Sequence, residues 1–323
     1  MPLLQAGMCP LLTESIVAKL ASHGVKRVLD FICTEPSKIT SQCEVQYKTV
    51  LSIRRVLLAE YSSFPLNGLN LYEESIATLS ILSTNCTELD DLLSSGIFTG
   101  EVTEICGSSA AGKTQLCTGL AINIAASLKQ NVIYIDCSSG FSPERAAQMI
   151  KTNFGETLSH IRVCKCTSTY HLLDILSMIR GSLNSHDTGF TLNLKAIIID
   201  SLSAVLLSDL KNLSYVEGQS LATSVKKEIN AIAKDFTLAV VVTTNTYFNI
   251  DSDSSPNAGF GHSWNSAVAT RIYLSKSNVL KNVNDNLIEP GSIHIKVTVL
   301  KSHHAKIGAS INLQLTEKGF CPL

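Results

Sequence analysis

Gly107-Ser108-Ser109-Ala110-Ala111-Gly112-Lys113-Thr114, GSSAAGKT, satisfies the pattern G-x-x-x-x-G-K-[ST] in full. Its flanks fit on both sides. Upstream, Glu101-Val102-Thr103-Glu104-Ile105-Cys106 alternates and branches like a short strand. Downstream, Leu116, Leu120, Ala121, Ile124 and Leu128 recur at helical spacing through Gln115–Leu128. A strand that breaks at Gly107 and restarts as a helix at Gly112 aims successive backbone N–H groups, and the positive end of the helix dipole, at one point. Lys113 then reaches the outer phosphates of a nucleoside triphosphate, and the Thr114 hydroxyl is placed to ligate Mg²⁺.

A second element belongs with the first. Ala196-Ile197-Ile198-Ile199-Asp200 is an apolar run ending in a carboxylate. Such a strand is expected beside the loop strand, with Asp200 in the crevice at the carboxyl edge of the sheet, holding the water shell of Mg²⁺. Hydrolysis needs a further group to orient or deprotonate water. Asp136 is the first candidate on the neighbouring strand end. It is followed by Cys137, Ser138 and Ser139, which are poor bases, and no glutamate lies within the turn. Nucleotide binding is thus better supported than turnover, and no catalytic residue is assigned.

Composition narrows the class. The 323 residues suit one large domain plus a small one, with 45% hydrophobic and 16% charged residues. A net charge of −1 leaves no polybasic footprint of the kind that dominates non-specific DNA binding. The ten cysteines show no paired C-x-x-C or Cys/His zinc spacing, and Cys164-Lys165-Cys166 lies in an alternating strand-like run. His303-His304 is expected at a polar strand end. Free thiols in this number, no leader and no membrane-length apolar segment predict a soluble intracellular protein.

The pattern changes along the chain. Residues 1–61 read as a small helical domain. Thr13 caps a helix that Gly24 stops, short segments follow around 28–32 and 36–43, and a longer helix starts near Glu44. Such a module suits docking on DNA backbone or on protein, or serves as a plain cap. Residues 62–82 read as a linker. From 83 to 323 strands and helices alternate, the sign of a mainly parallel α/β sheet. A helix is expected over Pro143–Phe154 with Ser142 as cap, another over Gly218–Phe236, and strands over Leu194–Asp200 and Thr237–Thr244. The last strands, near Thr270–Leu274, Ser292–Lys301 and Ser310–Thr316, are expected to form an antiparallel extension. The connection at 245–262 is long for a compact domain. Its aromatic residues suit stacking on single-stranded bases, while Asp251 and Asp253 oppose phosphate.

Together these motifs resemble the RecA-type recombinases of eukaryotes. The resemblance is carried by Leu89 to Ile97, Thr99 to Gly107, Gly112-Lys113-Thr114-Gln115, Phe141-Ser142-Pro143-Glu144-Arg145, Ile197 to Ser201, Gly261-His262-Ser263-Trp264 and Thr270-Arg271-Ile272. Within that family the finer similarity is to the D-type paralogue branch, through Met8 to Glu14, Arg54 to Ala59 and Leu71-Tyr72-Glu73-Glu74. The fold implied is a RecA-like P-loop ATPase core behind a small all-α domain.

The resemblance implies ATP and Mg²⁺ as cofactors. It assigns Gly107, Ser108, Ser109, Ala110, Ala111, Gly112, Lys113, Thr114 and Gln115 to the nucleotide, Thr114 and Asp200 to the metal, and Arg145 to packing against adenine. The segments 207–217 and 245–262 fall where the family's two DNA-facing loops lie, and the first holds Lys211 as its one cation. Two positions depart from the family. Its catalytic glutamate falls on Ser138, and the glutamine that senses the outer phosphate falls near Asn245. The resemblance therefore implies a nuclear, nucleotide-bound subunit of a recombinase-paralogue complex in homologous-recombination repair, acting on single-stranded or branched DNA. One fellow paralogue would meet the N-terminal domain and linker, and another the ATPase core. The alternative is an autonomous DNA-stimulated ATPase that forms filaments and exchanges strands. A small-molecule kinase is disfavoured, because 245–262 lacks the arginine of a substrate lid.

Overall fold

The computed structural model describes residues 3–61, 65, 67–150, 153–185, 189–211, 213–247, 257–258, 264–276 and 293–322. The chain divides into two units, Met1–Glu74 and Ser75–Leu323.

The first unit is helical: α1 (Glu14–Ser22), α2 (Val28–Cys33), α3 (Pro36–Cys43) and α4 (Tyr47–Tyr61). Glu44 adopts a left-handed conformation that ends α3, so α4 starts three residues later than the sequence indicates. Leu20, Val28, Phe31, Ile39, Ile53 and Leu57 form its core, each almost fully buried. The segment read as linker is not irregular throughout. It carries α5 (Gly68–Thr78), with no buried residue, and then β1 (Ile81–Leu82).

The second unit continues with α6 (Thr87–Leu92), β2 (Ile97–Phe98), β3 (Val102–Gly107), α7 (Lys113–Leu128) and β4 (Asn131–Asp136). After α8 (Pro143–Met149) and α9 (Phe154–Ser159) come β5 (Ile161–Lys165), α10 (Thr169–Asn184), β6 (Leu194–Asp200), α11 (Leu202–Leu210) and α12 (Tyr215–Asp235). The remainder is β7 (Ala239–Tyr247), β8 (Asn257–Ala258), β9 (Thr270–Lys276), β10 (Ile293–Lys301), β11 (Ser310–Thr316) and β12 (Gly319–Pro322). Among the described residues no helix is long and apolar enough to cross a membrane.

The main sheet has the order β12-β11-β10-β9-β3-β7-β6-β4-β5, with β8 on β7. A parallel strand covered on both faces is apolar along most of its length, and β6 shows why. Ala196 and Ile198 pack on one side with Leu116, Leu120 and Ala121 of α7. Ile197 and Ile199 pack on the other with Leu172, Leu176, Val225 and Ile229 of α10 and α12.

Four details differ from the sequence reading. β9 runs parallel to β3, so only β10, β11 and β12 form the antiparallel extension. Alternation alone does not encode direction. β7 lies between β3 and β6, so the Asp200 strand is one strand removed from the loop strand. The helix after Ser142 stops at Met149 because Ile150 turns extended, and α9 is separate. Finally, α12 starts at Tyr215 behind a capping box in which Ser214 and Glu217 bond each other's backbone N–H, a local signal that the apolar periodicity overlooks.

The centre of the sheet is fastened by a buried charge. Glu104 of β3 is 0% exposed. Its carboxylate accepts hydrogen bonds from Thr244 Oγ1 (2.6 Å), Trp264 Nε1 (3.1 Å) and Arg271 Nε (2.7 Å). It thus locks the phosphate-loop strand to β7 and β9 on either side.

Candidate nucleotide-binding site

The loop between β3 and α7 is built by two glycines with different tasks. A Cβ on Gly107 would lie 2.5 Å from the Leu274 backbone oxygen of β9. Gly112 has φ +91° and caps α7, and a Cβ there would meet Ile295 Cδ1 at 2.8 Å. Ala110 takes φ +58° between them. The chain therefore turns tightly enough for the first amides of α7 to face a common cavity.

That cavity has a volume of about 500 Å³, within the usual range of roughly 300–1,000 Å³ for small-ligand sites. Ser109, Ala110, Gly112, Lys113, Thr114 and Gln115 form one wall. Ser138 and Gly140 after β4, Asp200 and Ser201 at the end of β6, and Asn245 of β7 also line the cavity. All these strand ends lie at the carboxyl edge of the parallel sheet, where such folds bind ligands.

Lys113 is 8% exposed. Its Nζ donates to the Gly107 and Ser108 carbonyls at 2.9 and 2.8 Å, so the ammonium braces its own loop. Burial lowers its pKa, and the negative charge of Asp200 acts against that shift. Asp200 is 1% exposed. Tyr134 donates from its phenol to Oδ2 (2.8 Å) and Thr243 from its hydroxyl to Oδ1 (2.5 Å). Burial pushes the Tyr134 phenol up, which keeps it a donor. Two hydroxyls thus aim the carboxylate while its edge stays in the cavity wall with Thr114. A hydroxyl and a carboxylate are hard oxygen donors, the set that Mg²⁺ uses together with phosphate oxygens and water.

Asp136 has another occupation. Its Oδ1 accepts the Ser138 and Gly140 amides and its Oδ2 the Phe141 amide, each at 3.1 Å. This carboxylate shapes the turn after β4, and its oxygens are committed to backbone. The first base candidate from sequence is therefore a structural residue.

Residues 76–286 match the family described as Rad51, and residues 1–60 match the family described as RAD51D, N-terminal domain. The chain belongs to the Rad51 family. It is 36% identical over 283 residues to "DNA repair protein RAD51 homolog 4" of Bos taurus, covering 86% of each chain. It is 37% identical over 280 residues to the Mus musculus protein of the same description, covering 85% of this chain and 84% of that one. The crystal structure of the RadB recombinase shares the fold, with a TM-score of 0.60 at 20% identity over 75% of this chain and all of that one. The RecA-like core expected from sequence is thus observed.

The positions singled out by family resemblance fall as follows. Ser138 faces the cavity with Thr114 and Asp200. Asn245 lies in register with Gly107 and lines the cavity, and its backbone N–H donates to Ser203 Oγ at 2.8 Å. Arg145 is not in the wall. Its guanidinium donates to Gln115 Oε1 (2.9 Å), Gln148 Oε1 (3.2 Å) and the Thr316 carbonyl (3.0 Å), next to Leu315, which does line the cavity. Segment 207–217 is largely helical. α11 runs to Leu210, α12 starts at Tyr215, and the exposed residues include Lys211, Tyr215 and Val216. Of 245–262, β7 and β8 supply 245–247 and 257–258, while Phe248, Phe260 and both aspartates lie outside the described residues. His304 follows β10, stacks on Phe98 at 3.9 Å and sets Nε2 3.0 Å from Glu101.

Gly107→Ala tests the loop. The Leu274 carbonyl cannot retreat without parting β9 from β3, so overpacking is expected to cost about 1–3 kcal/mol. Thermal melting reads this directly, and an unchanged midpoint contradicts the close approach.

Proposed function

We propose that the chain is an ATP-binding subunit of a recombinase-paralogue complex that acts in homologous-recombination repair. The observation that carries this reading is the convergence of Lys113, Thr114, Asp200 and Asn245 on one cavity in a Rad51-family core. The cavity wall supports phosphates along Gly107–Thr114, Mg²⁺ between Thr114 and Asp200, and the base towards Leu315 and Arg145. When bound, Mg²⁺ neutralises phosphate charge. The chain's own residues supply the amide cradle, the ammonium and the oriented carboxylate.

The names of the bovine and murine relatives support a role in DNA repair, which the proposed reading extends to single-stranded or branched DNA in the nucleus. The recombinase-paralogue partners would meet the N-terminal unit with the linker on one side and the core on the other. Ser138, which stands in the cavity where a carboxylate would serve hydrolysis, supports slow turnover and favours a nucleotide-bridged assembly over an autonomous filament.

Co-purification from cells tests this. The wild-type complex is expected to carry nucleotide, and Lys113→Ala to lose both nucleotide and at least one partner. Full retention of every partner by that variant contradicts the bridging role. Asp200→Asn probes the metal separately. Loss of a residue that orients a metal's ligand shell typically costs about 10–100-fold. That loss is expected for ATP affinity with Mg²⁺ and not with a chelator present. Equal affinities of variant and wild type in Mg²⁺ would remove Asp200 from the metal site.

A further inference from the structure

A pair of thiols stands at the carboxyl ends of β4 and β5, just behind the cavity wall. These strands run parallel with Asp136 opposite Lys165, and the ladder continues one step as Cys166 N–H donates to the Asp136 carbonyl at 2.9 Å. Cys137 therefore stands opposite Cys166, and in-register side chains of neighbouring strands project to one face. The spacing of adjacent strands, roughly 4.7–4.9 Å, lies inside the roughly 4.4–6.8 Å Cα separation that a disulfide spans. Cys166 Sγ is 3.3 Å from the Ser168 carbonyl, and Cys137 Sγ 3.9 Å from that of Ile135. Cys166 is buried and Cys137 half-buried, with neither in a disulfide. Cys137 is wired to the site through its backbone. Its N–H donates to the Asp200 carbonyl at 2.7 Å, and its neighbour Ser138 lines the cavity.

We propose that Cys137 and Cys166 form a reversible disulfide site for a peroxide-class oxidant, and that closing it reshapes the wall formed by Ser138 and Gly140. The Cys166 thiolate attacks hydrogen peroxide, an S–O bond forms, the O–O bond breaks and hydroxide leaves. Cys137 sulfur then attacks the resulting sulfenic sulfur. The S–S bond forms, the S–O bond breaks, and the Cys137 proton leaves with the hydroxyl as water. The released hydroxide takes up the proton that Cys166 gave on ionising, so two thiols are oxidised and one peroxide becomes two waters. Cys106, by contrast, stands opposite Thr244 and Tyr273 on its neighbouring strands. Burial pushes Cys106 up to about 12 and raises Cys117 as well.

The test uses the full chain treated with graded hydrogen peroxide. Remaining thiols are alkylated after denaturation, and the digest is mapped with and without dithiothreitol. The expected product is a reductant-sensitive link between the Cys137 and Cys166 peptides, at doses that leave Cys106 and Cys117 alkylatable. Nucleotide affinity should fall about fivefold or more, the lower end of ordinary coupling between sites, and recover on reduction. Cys166→Ser should abolish both effects. Failure to find the link at doses that oxidise the exposed Cys33 overturns the site. A link that leaves affinity unchanged overturns its coupling to the cavity. That second half rests on the nucleotide reading, whose own failure is distinct: the reduced chain would take up no nucleotide while the link still formed.

Discussion

Lys113→Ala is expected to weaken ATP affinity at least about 100-fold. Hydrogen bonds to charged groups contribute roughly 1.5–3 kcal/mol each. An ammonium reaching two phosphate oxygens therefore supplies about 3 kcal/mol or more, and every 1.4 kcal/mol is about tenfold in Kd. The lysine must first release the Gly107 and Ser108 carbonyls that it bonds in the ligand-free loop. That exchange offsets part of the gain, which is why the lower end of the range is used. Alanine suits a helix start, so the fold should persist. Lys113→Arg is no rescue, because a planar fork does not fit a pocket made for a point charge. Titration of a fluorescent ATP analogue reads the effect, and a change below about threefold, under about 0.7 kcal/mol on the same scale, would remove Lys113 from the phosphates.

Ser138→Glu is expected to raise ATP turnover. A positioned general base contributes about 10²–10⁴-fold, and Ser138 faces the cavity that Thr114 and Asp200 also line. Installing a carboxylate there supplies the group that the turn lacks, since Asp136 is spent on three backbone amides. The added negative charge should weaken ATP affinity modestly, so saturating nucleotide is needed. Ser139→Glu is the control. It changes charge equally one residue away, at an exposed position outside the cavity wall. Phosphate release that rises by about 10² for Ser138→Glu, the low end of that range, and not for Ser139→Glu supports the geometry. Equal rates for both variants contradict it.

The legible parts of this protein were those whose physics is local. GSSAAGKT carries its own geometry, because glycines at 107 and 112 are required by the Leu274 backbone oxygen and by a positive φ. The run Ala196–Asp200 announces a strand covered on both faces, and the structure covers it so. What sequence left open depends on partners distant along the chain. Nothing near Glu104 foretells that Thr244, Trp264 and Arg271 will share its carboxylate. Asp136 looks like a base until the turn folds over it, and Asp200 looks adjacent to the loop strand until β7 is inserted between them. The direction of β9 is likewise set by a pairing with β3 that alternation does not record. Family resemblance bridged part of that gap by aligning Ser138 and Asn245 with positions that do meet in the cavity.

The central claim is that main-chain amides and one ammonium grip a triphosphate where β3 gives way to α7. Isothermal calorimetry of the chain with its companion subunits, titrated with ATP in Mg²⁺, tests it most directly. The expected result is saturable binding of one ATP per chain that Lys113→Ala abolishes at the same concentrations. Heats no larger than dilution for the wild-type chain, or an unaltered isotherm for the variant, would contradict it.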